Sequence, residues 1–397
     1  MLQRQLAKYL FFIVNLQIIG YLMYMYAESI INIRKNKFRQ MEMLNSSIAT
    51  YELWNITEMP HKHDLMANNS DVLHKTDHEH KPYMVYECSK EVPRRVCGGL
   101  GDRIKGITVT YIWALLTNRS FIIRHEIPCD LEKFLIPNEI QWNIKLPVDG
   151  KEHRMAIRPS VNSIKAENLI PDDEHISEKY KKYNRLAFLG PNNINHFSRF
   201  SELPMYEAQL KQFPFKLRKC SMYKTVFEKL FKLTPRLDKK FQELAAKAKP
   251  TKDHKLICAQ IRTGPNPSIP RDFGGTRTSE KDIEKFWTFL ESNITRDKTT
   301  VFVTSDSNEI QKTAREKFNE TFLETDGNIT HTDRNRYVEA CSGMDKVILD
   351  FHMLALCDIA MVSRSSFGWL SQCMNKNKDA VIYRMRDGGD VYHWTDR

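Results

Sequence analysis

A glycine-rich stretch follows the apolar run at residues 83–86 and precedes a stretch of helical periodicity at residues 104–117. It reads Cys97-Gly98-Gly99-Leu100-Gly101-Asp102-Arg103. Glycines at a strand-to-helix junction let backbone N–H groups approach a ligand without a Cβ in the way, and a helix N-terminus favours negative charge. The stretch therefore suits a phosphate, although it is neither a GxGxxG fingerprint nor a Walker A loop. A tight turn that needs only positive φ explains the same glycines equally well.

Polar residues that suit an anion also follow three apolar stretches in the second half of the chain. They are Arg262, Thr263 and Gly264 after residues 256–261, Thr304, Ser305 and Asp306 after residues 301–303, and Ser363 to Gly368 after residues 359–362. An arginine forms paired hydrogen bonds with a diphosphate, and serines at a helix start offer hydroxyl and N–H donors. Taken singly, Arg262 also fits a surface ion pair, Ser366 an N-cap, and Asp306 an acid that caps the next helix.

The elements that must position these loops alternate between strand and helix. The pattern predicts strands at 83–86, 121–124, 186–189, 256–261, 300–304, 358–362 and 380–383, and helices at 104–116, 206–213, 223–248 with a break at Pro235, 281–290, 308–318, 346–357 and 367–374. Short apolar strands separated by helices predict parallel sheets covered on both faces. We therefore expect an α/β protein with two Rossmann-like halves, residues 82–249 and 250–397, and a ligand cleft between them.

Composition limits the class of protein but does not identify its ligand. The 397 residues are 41% hydrophobic and 27% charged, which is typical of a globular protein large enough for two domains. The formal net charge of +11 suits a nucleotide diphosphate, but it equally suits nucleic acid, lipid headgroups or polyanionic glycans. These values exclude a disordered chain.

The N-terminal region predicts a membrane anchor. Residues 9–27 carry no charge and are long enough to cross a bilayer, so residues 1–8 become a cytoplasmic tail. A cleaved signal peptide is the alternative, although the apolar stretch is long for one and lacks an A-x-A site. Residues 28–81 are polar and contain five histidines, which predicts a flexible stem rather than a metal site.

Glycosylation sequons and cysteines indicate the compartment. N-x-S/T triplets begin at Asn45, Asn55, Asn68, Asn118, Asn293, Asn319 and Asn328, all after the predicted anchor. The eight cysteines are an even number compatible with disulfides, although Cys258 and Cys357, each within an apolar segment, also fit buried thiols. The sequence has no CxxC pair, so we do not expect a structural zinc site. More basic residues follow the anchor than precede it, so the positive-inside rule argues against a lumenal body. The sequons favour a lumenal body, and on their evidence we expect a single-pass type II protein of the Golgi or ER.

The order of these motifs resembles the GDP-fucose-dependent fucosyltransferases, the superfamily of plant xyloglucan, α-1,6 and protein O-fucosyltransferases. The matching segments are GGLGDR at 98–103, ALLTNR at 114–119, QIRTG at 260–264, VTSDS at 303–307 and DFHMLALCDIAMVSRSSFG at 350–368. The resemblance implies a GT-B architecture. It also implies metal-free inverting transfer of fucose from GDP-fucose to a hydroxyl of a glycan or glycoprotein, with no further cofactor and no nucleic-acid partner.

The resemblance also implies roles for particular residues. Arg262 would hold the β-phosphate and stabilise the departing GDP, while Ser365 and Ser366 would bind phosphate oxygens. Phe367 would line the guanosine pocket. The residues beside the nucleotide would be Gly264, Asp306 and Asp350, and those of the opposite wall would be Gly99, Gly101 and Arg103. Many relatives carry Asn where this chain has Asp102, and several carry His at Gln260. An acid beside a diphosphate is repulsive unless Arg103 or Arg262 offsets it, so Asp102 is a candidate base for the acceptor hydroxyl.

Two alternatives belong to other functional classes. A lumenal sulfotransferase would share the type II topology and an anion-binding arginine and serine pair. Such an enzyme should, however, carry a phosphate loop rich in lysine or arginine directly after its first strand. The GGLG turn contains neither residue. A non-catalytic protein of the same fold would bind the GDP-sugar or a glycan and transfer nothing.

The sequons generate a prediction about topology. If the body is lumenal, glycosidase treatment of the protein from secretory cells should increase its gel mobility. Replacement of Asn293, Asn319 and Asn328 by glutamine should remove part of that shift, because those glycans would be missing. A body that carries no glycan when it passes through a secretory pathway would contradict the lumenal orientation.

Overall fold

The computed structural model describes residues 81–90, 92, 97–146, 154–157, 169–190, 197–272, 275–295 and 297–395. The predicted tail at 1–8, the anchor at 9–27 and the stem up to residue 80 lie outside this part. Among the described residues, no helix is both long and apolar enough to cross a bilayer.

The first half of the chain forms a four-stranded parallel sheet of order β2-β1-β5-β4. Its strands are β1 (Tyr83–Cys88), β2 (Ser120–His125), β4 (Arg154–Ile157) and β5 (Arg185–Leu189), while β3 (Leu135–Pro137) pairs with β6 (Phe231–Leu233) in a separate antiparallel ribbon. Tyr83 lies opposite both Ser120 and Arg185 in the register. The carboxyl ends of these strands therefore meet at one edge of the sheet.

The second half forms a six-stranded sheet of order β12-β11-β10-β7-β8-β9. Its strands are β7 (Lys255–Ile261), β8 (Thr299–Ser305), β9 (Phe322–Leu323), β10 (Ile359–Val362), β11 (Val381–Met385) and β12 (Val391–His393), of which only β12 is antiparallel to its neighbour. Gln260 lies opposite Thr304 and Val362 in the register. The three polar loops therefore leave the sheet side by side, and the predicted α/β class with parallel sheets is confirmed.

The helices match most of the predicted segments. They are α1 (Leu100–Leu116), α2 (Ile176–Lys179), α3 (Phe197–Glu202), α4 (Glu207–Lys211), α5 (Cys220–Leu230), α6 (Pro235–Ala248), α7 (Glu280–Asn293), α8 (Asn308–Phe318), α9 (Tyr337–Ser342), α10 (Met344–Leu354) and α11 (Ser366–Cys373). The predicted break at Pro235 is confirmed, because β6 separates α5 from α6 and Pro235 starts α6, where its missing N–H costs nothing. The glycine-rich stretch differs, since α1 begins at Leu100 rather than at residue 104.

Helix α1 is the centre of the first-half core. All of its residues except Asp102 and Leu115 are buried, so it has protein on every side. Trp113 packs edge-on against Phe188 and Phe200, with ring centroids 5.0 and 5.7 Å apart. Residues of α10 and α11, among them Phe351, join the same buried cluster. The second half of the chain thus completes a core that the first half begins.

Disulfides pair all eight cysteines of the described residues. The pairs are Cys88–Cys97, Cys129–Cys341, Cys220–Cys373 and Cys258–Cys357. Two of them, Cys129–Cys341 and Cys220–Cys373, join the first half to the second. The latter fixes the end of α11 to the start of α5. These bonds restrict how far the two halves separate.

The first turns of α1 and α11 meet at Gly101. A Cβ built there would lie 2.6 Å from the carbonyl carbon of Ser366 and 2.7 Å from the amide nitrogen of Phe367. Both atoms belong to backbone, which gives way less easily than a side-chain tip. Only glycine permits this approach.

We expect Gly101→Ala to lower the free energy of unfolding by about 1–3 kcal/mol, because the added methyl group forces the two helices apart. Chemical denaturation measures the change. Gly275→Ala is the matched control, since no atom lies within 4 Å of a Cβ at this exposed position. Equal stability of the two variants would contradict the close contact.

Candidate active site

A cavity of about 530 Å³ opens where the start of α1 faces the loops that follow β7, β8 and β10. Its wall includes residues 98–102, residues 328–334 and the first residues of α11. This volume lies within the usual range of ligand pockets, roughly 300–1,000 Å³. Residues from both the first and the second half of the chain line this cavity.

The cavity brings together nine of the eleven predicted site residues. They are Gly99, Gly101, Asp102, Arg262, Asp306, Asp350, Ser365, Ser366 and Phe367. The other two, Arg103 and Gly264, do not line it. The predicted convergence of separate loops on one site is thus a property of the folded chain.

Arg262 lies between two carboxylates at the end of β7. Its guanidinium donates hydrogen bonds to Asp306 and to Asp272, and its backbone N–H donates to Ser363 Oγ at 2.9 Å. Burial lowers the pKa of Arg262, and hydrogen bonding to Asp272 opposes that effect. A guanidinium has five N–H donors, so the two carboxylates fix its plane and leave donors for a ligand.

Asp306 organises the loop after β7. Its carboxylate accepts from the backbone N–H of Thr263 at 2.8 Å and of Gly264 at 3.1 Å, as well as from Arg262. The alternative that Asp306 caps α8 is wrong, because Ser307 holds the N-cap position. Gly264 has φ of +92°, and a Cβ there would lie 2.8 Å from the carbonyl oxygen of Gly275. Gly264 therefore shapes the loop rather than lining the cavity.

Asp350 forms a buried ion pair at the wall of the cavity. Its carboxylate accepts from Thr304 Oγ1 at 2.8 Å and lies 3.4 Å from Lys346 Nζ. Thr325 Oγ1 also donates to it. Because these three partners are all donors and one of them belongs to β8, the carboxylate holds α10 against the end of β8.

The start of α11 presents the serines and the phenylalanine. Ser365 is the N-cap residue, and Ser366 Oγ accepts from Lys105 Nζ at 2.9 Å. Phe367 is half-buried and packs edge-on against Phe351, with centroids 5.6 Å apart. The unpaired N–H groups of a helix start, a hydroxyl and an aromatic ring thus lie together, which suits a phosphate next to a planar ring.

Asp102 faces the cavity from the first turn of α1. It forms an ion pair with Lys105 at 2.8 Å, and its side chain is 35% exposed. Neither Arg103 nor Arg262, the two expected partners, offsets its charge; Lys105 does. Because Lys105 also donates to Ser366, this lysine connects the first turns of α1 and α11.

Arg103 corrects a sequence prediction. Its guanidinium is buried, donates to the carbonyl oxygens of Gly98 at 2.9 Å and of Ile127, and lies 2.7 Å from His125 Nε2. Burial and the nearby Arg103 lower the pKa of His125 to about 3. Arg103 therefore holds the glycine-rich turn through the carbonyl oxygen of Gly98 and does not line the cavity.

Sequence reasoning missed several residues that line the cavity. They are Asp272, Arg277, His331, Asp333, Arg334, Lys346, Arg364 and Arg384. Arg364 is in the quoted motif after β10, but Asp272, Arg277 and the segment 328–334 belong to irregular loops without periodicity. The only available signal was their density of charged residues and histidine.

The charges around the cavity nearly balance. The lining cations are Arg262, Arg277, Arg334, Lys346, Arg364 and Arg384, and the lining carboxylates are Asp102, Asp272, Asp306, Asp333 and Asp350. In the described part of the chain, Arg277 and Arg384 have no carboxylate partner, and Arg384 lies 4.8 Å from the ring of Trp394. Over the same residues, no group of three histidine, cysteine or acidic side chains is placed to hold a metal. The unpaired cations favour an anionic ligand.

Comparison with solved structures shows a shared fold. The chain is similar to a mutant of Arabidopsis thaliana FUT1 in complex with GDP, with 14% identity, a TM-score of 0.53, and 79% of this chain and 72% of that chain covered. Weaker similarities are to NodZ alpha-1,6-fucosyltransferase soaked with GDP-fucose (11% identity, TM-score 0.49, 80% and 100% covered) and to POFUT1 in complex with GDP (11%, 0.43, 75% and 96%). The predicted fucosyltransferase-like fold is confirmed.

Comparison by sequence identifies no relative. No protein-family model matches the chain, and no curated protein matches it.

The loop after β7 gives a prediction about stability. We expect Asp306→Asn to lower the free energy of unfolding by about 3 kcal/mol, because it leaves the buried Arg262 short of a partner and weakens two backbone hydrogen bonds. Denaturant titration measures it. Asp253→Asn removes an exposed carboxylate from the connection before β7 and should change stability by less than about 0.5 kcal/mol. An Asp306→Asn variant as stable as the control would show that Asp306 does not support the loop.

Proposed function

We propose that this chain is an inverting fucosyltransferase that moves fucose from GDP-fucose to a hydroxyl of a glycan or glycoprotein. The observation that carries the proposal is the meeting of nine family-implied site residues in one cavity. The fold shared with GDP-bound FUT1 supports it. The motifs are far apart in sequence, so a chance resemblance would not place them around one space.

The diphosphate would lie between Arg262 and the start of α11. As the bond between sugar and phosphate breaks, negative charge grows on the β-phosphate. A fixed guanidinium and helix N–H groups stabilise that charge more strongly in the transition state than in the ground state. The two carboxylates on Arg262 keep the guanidinium in place before the ligand binds. The base of the nucleotide would pack against Phe367.

The acceptor hydroxyl would be activated by Asp102. This carboxylate lines the same cavity as Arg262, and its side chain is 35% exposed. Proton transfer to a positioned carboxylate as the hydroxyl attacks is general base catalysis. Attack from the side opposite the departing GDP inverts the configuration of the sugar carbon.

We also propose that the body is lumenal, in the Golgi or ER, on a type II anchor. Support comes from the seven sequons after the predicted anchor and from the pairing of all eight cysteines in disulfides, which form in oxidising compartments. The anchor at residues 9–27 stays a prediction from sequence.

A substitution of Arg262, the residue that would stabilise the charge on the leaving group, tests the proposal. We expect Arg262→Lys to fold and bind GDP but to lose roughly 100-fold or more in kcat for fucose transfer, because lysine keeps the charge and loses the planar set of donors. Arg315→Lys is the matched control, since Arg315 is an exposed arginine paired with Glu324 at 2.8 Å. Initial rates with GDP-fucose and an acceptor panel measure both variants.

The same preparation separates the alternatives. Melting-temperature shifts with GDP-fucose, other nucleotide sugars and the sulfate donor identify the ligand, and activity should survive a chelator. Near-normal kcat in Arg262→Lys would make Arg262 a structural ion-pair residue. Binding of GDP without transfer to any acceptor would indicate a non-catalytic binding protein.

A further inference from the structure

His331 lies on the wall of the cavity next to the glycine-rich turn. A Cβ built at Gly99 would lie 3.4 Å from His331 Cε1 and 3.5 Å from Nε2. The edge of the imidazole that carries Cε1 and Nε2 is therefore the edge nearest the glycine-rich turn, which also lines the cavity. The backbone N–H of His331 donates to Asn335 Oδ1 at 2.7 Å, which fixes the loop that carries the ring.

The tautomer of His331 follows from its other nitrogen. The backbone N–H of Asp333 donates to Nδ1 at 3.2 Å, so Nδ1 is an acceptor and carries no proton. In a neutral imidazole the proton then lies on Nε2. Among the described residues, no protein group accepts from Nε2, and His331 lines the cavity, so this donor is available to a ligand bound there.

The ring is neutral at physiological pH. Burial is the main cause that lowers the pKa of His331 to about 3, and the positive charges of Arg262 and Arg334 lower it further. Asp272 and Asp102 act in the opposite direction and are the other charged groups that face it. A general base works best with a pKa near the operating pH, so His331 is poorly suited to that role and well suited to donating a hydrogen bond.

We propose that Nε2–H of His331 donates a hydrogen bond to the β-phosphate of the bound nucleotide. This inference rests on the proposed function for the identity of the ligand. Geometry favours the β-phosphate because the ring lies next to the glycine-rich turn and lines the same cavity as Arg262, the residue at which the departing charge would be stabilised.

Calorimetry with GDP and GMP tests the contact. His331→Phe keeps a flat ring without the donor and should bind GDP roughly tenfold to a hundredfold more weakly, the range for one hydrogen bond to a charged group. Its affinity for GMP, which lacks the β-phosphate, should change less than about threefold. His331→Gln, which keeps an N–H donor, should recover most of the GDP affinity. His254→Phe is the control, because His254 contacts Thr300 at the far end of β7.

Nitrogen NMR of the unmodified protein tests the same contact by measuring which imidazole nitrogen of His331 carries the proton. The imidazole of His331 should show a protonated Nε2 and an unprotonated Nδ1 from pH 5 to 8, and GDP should shift the Nε2 resonance more than GMP does. A protonated Nδ1, or titration within that interval, would overturn the inference. Equal losses of GDP and GMP affinity in His331→Phe, or no loss of either, would overturn it as well.

These outcomes differ from failure of the proposed function. If the protein binds GDP and transfers no fucose, fucosyl transfer fails while the His331 contact is still decided by the GDP and GMP affinities. If the unmodified protein binds no GDP, both fail.

Discussion

The contact between the first turns of α1 and α11 at Gly101 is the constraint on which the site depends. One helix belongs to the first half of the chain and the other to the second, and backbone meets backbone where they touch. Lys105 strengthens this junction by bonding to Asp102 on its own helix and to Ser366 on the other. Because both helix starts line the same cavity, their first-turn N–H groups are available to a single anionic ligand there.

Two disulfides outside the site also keep the two halves of the chain together. Cys220–Cys373 fixes the far end of α11, and Cys129–Cys341 fixes α9, which follows the loop that carries His331. Both bonds cross between the halves, and the buried cluster around α1 includes residues of α10 and α11. The two halves are therefore neighbours through a shared core as well as through the cavity.

The carboxylates of the site explain how arginines are held ready for an anion. Asp272 and Asp306 fix Arg262, and Asp350 fixes Lys346, so these cations have defined positions without a ligand. A buried charge left unpaired would be costly. Within the part of the chain that the structure describes, Arg277 and Arg384 lie on the wall without a carboxylate partner, and the diphosphate of the proposed donor would add the negative charge that they lack. Arg262 thus supplies a cation that is already fixed in position, whereas Arg277 and Arg384 supply the positive charge that attracts an anion.

The sequence by itself determined seven of the twelve described strands, most of the helices and the loops that follow β7, β8 and β10. Apolar strand segments and helical periods are local properties, and parallel strands place their carboxyl ends at one edge, so Arg262, Asp306 and Ser365 were predictable as neighbours. The short strands β3, β4, β6, β9 and β12 were not predicted, because strands of two to four residues owe their pairing to distant partners.

Tertiary structure decided which way individual side chains point. Consecutive helical residues point about 100° apart, so the start of α1 at Leu100 directs Asp102 into the cavity and Arg103 into the core. The sequence does not specify that start, since the glycines before it fit a turn as well as a first helical turn. His331 and Asp272 come from loops with no period, and long-range packing alone brings them to Arg262. Loop position depends on contacts between residues distant in sequence, which no local pattern encodes.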